Sequence, residues 1–210
     1  MVGGNARRTP CASLLLSLAA GGLFLLPSLV HALEFDRAAI AAGEVWRLVT
    51  GHWVHFGFEH LFWDVLAFGC LGAACERSSR ARFLACVAAS ACAISAAVWF
   101  WLPEMTAYRG LSGIDSALFG LLFVGLASDA VRARSSSQVA LATTLFAAFL
   151  LKVAFEVFTG GNVFVKSMEA GAVGVPLAHV VGVTVGVLVG LAPRALPLAL
   201  GPVVLVSSSE

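Results

Sequence analysis

Charge is what this sequence has least of. Only 12% of its 210 residues are charged, 13 basic and 12 acidic, against 60% hydrophobic. A soluble domain of that length has too little interior to hide so much apolar surface, which excludes a soluble fold. The net charge of +1 makes no electrostatic case for nucleic acid, and none is expected as a partner. Cysteine is present but without ligand spacing: Cys11, Cys70, Cys75, Cys86 and Cys92 all lie in or beside apolar segments. They fit small buried hydrophobes rather than a disulfide or zinc framework. No His-Glu-x-x-His occurs, so the usual zinc-hydrolase signature is missing. Neither a metal nor a cofactor is expected.

What the chain does have is long apolar runs, at about 11–30, 58–75, 82–102, 111–128, 138–158 and 171–192. About 20 such residues span a bilayer as a helix. The expected fold class is all-α, a polytopic membrane bundle of six transmembrane helices. It divides into a cytoplasmic N-terminus at 1–10, a membrane domain at 11–192 and a short tail at 193–210. The first run allows a second reading as a signal peptide, with Val30-His31-Ala32 as cleavage site and Pro27 breaking the helix before it. Between 31 and 57, Trp46, Trp53, Phe56 and Phe58 alternate with Glu44, Arg47, His52 and His55, as in a segment lying at headgroup level.

Basic residues set the orientation. Arg7, Arg8, Arg77, Arg80, Arg82, Arg132, Arg134 and Arg194 fall on one side, and Arg37, Arg47, Arg109 and Lys166 on the other. The positive-inside rule then puts both termini in the cytoplasm and the loop before Ser112 on the outer face.

Polar groups inside a bilayer are costly and are functional candidates by default. His60 and Asp64 lie one turn apart in the second run; Ser112, Asp115 and Ser116 head the fourth. Lys152 and Glu156 occupy the fifth at a spacing that favours a structural ion pair. The sixth holds His179, followed on its own face by Gly182, Gly186 and Gly190. Small residues at that spacing let another helix come close, and Gly113, Ser116, Ala117 and Gly120 of the fourth run offer a matching surface. Ser112 is open to two readings: a helix cap, or a nucleophile whose proton a neutral imidazole removes. A tight crossing of the fourth and sixth helices would bring it to His179.

Trp46-Arg47-Leu48-Val49-Thr50, His55 with His60, Gly110-Leu111-Ser112-Gly113 and Ala178-His179-Val180-Val181-Gly182 together resemble the rhomboid intramembrane serine proteases, over nearly the whole chain. The resemblance implies a six-helix fold and an endopeptidase cutting in or next to single-pass transmembrane segments within the lipid membrane. It also implies Ser112 as nucleophile, His179 as general base in a dyad, His60 as oxyanion stabiliser and Arg47 as a structural arginine. Gly110, Gly113 and Gly182 fall on the motifs' structural glycines. The implied location is a bacterial inner membrane, with the active site opening outward.

Two positions depart from the common pattern: Asp64 replaces an asparagine and Ser116 a tyrosine. Asp64 is either a protonated donor to the oxyanion, a partner holding His60 as an imidazolium, or a helix anchor. Asp115 is either a third member orienting His179 or a helix-terminal acid. The Gly-Leu-Ser-Gly-Ile-Asp-Ser stretch and the compact build also resemble the rhombosortase branch, thought to process C-terminal Gly-Gly sorting tails. Two rival functions remain: a non-catalytic rhomboid-like binder of transmembrane helices, and a metal or haem protein using His52, His55, His60 and His179. On a continuous helix His55 and His60 would project about 140° apart, a poor geometry for sharing a metal.

Overall fold

The computed structural model describes residues 9–161 and 175–193. Arg7, Arg8, Lys166, Arg194, the beginning of the sixth run and nearly all of the 193–210 tail therefore lie outside the described residues. The chain forms the all-α membrane bundle expected from its apolar runs. Its elements are α1 (Cys11–Phe24), α2 (Pro27–Leu33), α3 (Arg37–Ala41), α4 (Arg47–Thr50), α5 (Phe58–Ser78), α6 (Arg80–Trp101), α7 (Ser112–Arg132), α8 (Ser136–Thr159) and α9 (Pro176–Leu191). Helices α5, α6, α7 and α8 are long and apolar enough to cross a membrane, while the described part of α9 is 16 residues long.

The single helix expected over 11–30 is instead a pair, α1 and α2, bent by 112° at Leu25-Leu26. Pro27 causes the break: it has no N–H to donate and starts a new helix at its first position. Helix α1 packs on α5 through Ser13 and Ser17, set against Gly72 and Gly69. The Glu76 carboxylate of α5 accepts from the Ala12 and Ser13 amides at 3.1 and 2.8 Å, capping α1 from a neighbouring helix. Cleavage after Ala32 would remove the amides that Glu76 holds.

Two arginines close helix ends in the same way. Arg37 donates to the Val98, Trp99, Leu102 and Met105 carbonyls at the end of α6. Arg82 donates to the Gly190 and Ala192 carbonyls at the end of α9. The 31–57 segment leaves Trp46 half exposed, and Phe58 at the start of α5 is largely exposed. Its strand β1 (Phe35–Asp36) pairs antiparallel with β2 (Ala107–Tyr108), Phe35 opposite Tyr108, which ties this segment to the loop before α7.

His52 anchors that segment to α6, its Nε2 3.1 Å from both the Ala91 carbonyl and Ser95 Oγ. Burial lowers its imidazole from the ordinary 6.5 to about 4. Between those values the unfolded chain binds a proton that the folded chain refuses. Stability from this group is therefore complete above pH 6.5 and falls as pH drops towards 4. Thermal unfolding in detergent is expected to show that loss. The slope should be shallower in His52→Phe; equal slopes in the two proteins would discount the residue.

Candidate active site

Helices α7 and α9 run parallel and in close contact, because glycine removes the side chains that would hold them apart. A Cβ on Gly182 would overlap the Gly113 carbonyl, and one on Gly186 the Ala117 carbonyl. Gly120 and Gly190 make the same kind of approach to Val183 and Val124. This register sets the first turn of α7 beside the first turn of α9.

Gly110 delivers the chain into α7. Its φ of +115° suits a residue without a side chain, and a Cβ there would strike the His60 ring. The next residue, Leu111, donates its amide to Asp64 Oδ2 at 2.7 Å. Ser112 is then the first residue of α7, and its hydroxyl does not cap the helix. Ser112 Oγ instead lies 3.1 Å from His179 Nε2. The other ring nitrogen, Nδ1, is 2.8 Å from Glu156 Oε2. The same oxygen is 2.9 Å from Lys152 Nζ. His179 and Glu156 are both buried.

On the other side of Ser112, Asp64 Oδ2 stands 3.2 Å from both His55 Nε2 and His60 Nε2. The 140° separation of the two histidines applied to a continuous helix. His55 precedes α5, and the bend at Val54 to Gly57 brings its ring to 5.1 Å from that of His60. The loop above is pinned by Arg109, which donates to Glu34 at 2.7 Å and stacks over Phe56. Arg47 holds the preceding segment through the His31 and Glu34 carbonyls and Glu44. Ser116 donates to the Ser112 carbonyl within α7.

His60, Asp64, Ser112, Lys152, Glu156 and His179 line one cavity of about 960 Å³ between α5 and α8, floored by α7. Asp115 lines it too, but the bond to His179 Nδ1 comes from Glu156, so a role for Asp115 in orienting the histidine has no support in this geometry. Nor does Asp115 cap α7, and its buried Oδ1 has no hydrogen-bond partner among the described residues. The Lys152–Glu156 pair forms as its spacing suggests. Its contact with His179 is what spacing alone did not show, since that depends on how α8 lies against α9. The histidines of the metal reading divide among separate surroundings: His52 on α6, His55 and His60 on Asp64, His179 on Ser112 and Glu156.

A half-buried Ser–His contact at the head of two glycine-packed helices faces a cavity inside an apolar bundle, which sets a hydroxyl against an imidazole within an integral membrane protein. The model of the rhomboid domain matches residues 42–195, which takes in α5 to α9 with His60, Asp64, Ser112, Lys152, Glu156 and His179, and the chain belongs to the rhomboid family. Rhomboid protease GluP of Bacillus subtilis (strain 168) is 35% identical over 98 residues, 44% of this chain and 18% of that protein. YdcA of the same strain, named as a provisional rhomboid protease, is 30% identical over 113 residues, 53% of this chain and 57% of the relative. The chain thus spans little over half of one curated relative and under a fifth of the other.

Proposed function

We propose that this protein is an intramembrane serine endopeptidase, with Ser112 as nucleophile and His179 as general base. The 3.1 Å approach of Ser112 Oγ to His179 Nε2 carries the reading. In the first step Oγ attacks the scissile carbonyl while its proton passes to Nε2. That proton then goes to the leaving amine as the C–N bond breaks, and water hydrolyses the acyl-enzyme. The tetrahedral oxyanion needs preorganised donors. The first amides of α7 have no partner within their helix and supply them, together with His60 on the cavity wall.

Asp64 enters this scheme as an acceptor. Its Oδ2 takes the Leu111 amide and faces two imidazoles, which supports the paired version of its role over direct donation to the oxyanion. Asp64→Ala is expected to lower the cleavage rate on the order of 10²–10³, and Asp64→Asn to damage it as well, because an amide is a weaker acceptor than the carboxylate that the Leu111 amide and the two imidazoles face. A wild-type rate in Asp64→Ala would leave the residue a packing role only.

Substrates are proposed to be single-pass membrane proteins cut in or next to their transmembrane helix. Tails bearing the Gly-Gly sorting signal are the first to assay, given the rhombosortase-like stretch around Ser112. The proposed site is a bacterial inner membrane with cytoplasmic termini and the catalytic face outward. A fluorophosphonate probe tests the core of the reading directly. Labelling of the wild type that disappears in Ser112→Ala supports an activated serine. No labelling of a folded protein would favour the non-catalytic helix binder.

A further inference from the structure

Glu156 comes from α8, yet its carboxylate meets a histidine on α9, and this contact has a chemical consequence. We infer that Glu156 is a positioning residue that fixes the tautomer of His179, making a Ser–His–Glu triad in place of a bare dyad. The inference rests on the serine-protease reading above.

The geometry decides which nitrogen of His179 carries the proton. A carboxylate only accepts, so a 2.8 Å contact between Glu156 Oε2 and Nδ1 requires the hydrogen on Nδ1. The lone pair then sits on Nε2, facing the Ser112 hydroxyl, the one arrangement in which the imidazole takes the serine proton. Lys152 Nζ also approaches Nδ1, at 3.3 Å. Were it the donor there, the hydrogen would sit on Nε2 and the base would be blocked. The shorter distances run through Glu156: Oε2 is 2.8 Å from Nδ1 and 2.9 Å from Nζ, so it accepts from both. Lys152 thereby supplies the counter-charge that a buried carboxylate needs. As Nε2 takes the serine proton the ring becomes an imidazolium, and Glu156 stabilises the charge without itself being protonated.

Purified full-length wild type, Glu156→Gln, Glu156→Asp and Lys152→Met would be compared on one transmembrane substrate for kcat, KM, unfolding temperature and fluorophosphonate labelling rate. Glutamine has the shape of glutamate, but its amide can donate to Nδ1 and favour the wrong tautomer. In Glu156→Gln kcat and labelling are expected to fall by about 10³–10⁴-fold, with KM within about threefold and unfolding temperature unchanged. Glu156→Asp should recover at least about tenfold over glutamine, since it restores an acceptor of the same charge. Lys152→Met should cost less than Glu156→Gln. The inference is overturned if Glu156→Gln keeps kcat within about threefold of wild type, if its loss lies in KM, or if Lys152→Met proves the more damaging. A wild type that neither cleaves nor labels at Ser112 would overturn the protease reading along with it. A wild type that does both, with Glu156→Gln unaffected, sinks this inference alone.

Discussion

Ser112→Ala and His179→Ala are each expected to reduce cleavage on the order of 10⁶ in kcat, to background, while the protein still inserts and folds. Neither change replaces a glycine of the seam between α7 and α9 or adds bulk to it, so unfolding temperature in detergent should stay near wild type. The double variant should be no worse than either single one, because a nucleophile without its base and a base without its nucleophile are equally idle. The assay is cleavage of a defined transmembrane substrate followed by gel or mass spectrometry. Undiminished turnover in either single variant would remove the pair from the mechanism.

Filling the α7–α9 seam should have the next largest effect. At Gly186 a side chain must displace the Ala117 carbonyl, which is backbone and has no rotamer to escape into. Gly186→Leu is therefore expected to push the helices apart and lower the unfolding temperature, overpacking of this kind costing about 1–3 kcal/mol. Ser112 and His179 ride on those two helices, and a displacement of about 1 Å between reacting groups costs on the order of 10² in rate. Activity should thus fall even in the fraction that stays folded. Gly125→Ala is the control: it lies on α7 with nothing near the added methyl, and alanine favours the helix. It should match or exceed wild-type stability. Wild-type stability and turnover in Gly186→Leu would mean that the seam is not as tight as its glycines suggest.

The paired glycine faces were legible in the sequence because helical periodicity converts spacing into direction. Gly182, Gly186 and Gly190 had to share a face with His179, and that face had to meet something small. The Lys152–Glu156 pair was legible for the same reason. Its catalytic neighbourhood was not, since nothing in the spacing of α8 says which helix its buried side will meet. The bend between α1 and α2 was half visible: Pro27 was a plain breaker, but an apolar run gives no sign of the angle at which it folds back.

The sequence by itself determined that this is a helical membrane protein, which residues sit on which helix face, and the motifs by which a rhomboid is known. Those follow from composition and from a helical period that is local and fixed. Only the tertiary structure decided the partners: His55 with Asp64 by a bend outside the helix, Glu76 capping α1, Arg37 and Arg82 closing distant helix ends, and Glu156 rather than Asp115 on His179 Nδ1. Asp115 follows Ser112 by three residues in the same helix, while Glu156 stands 23 residues from His179 on another. A rigid helix fixes which way each side chain leaves it, and the packing of one helix on the next determines what that side chain finds there.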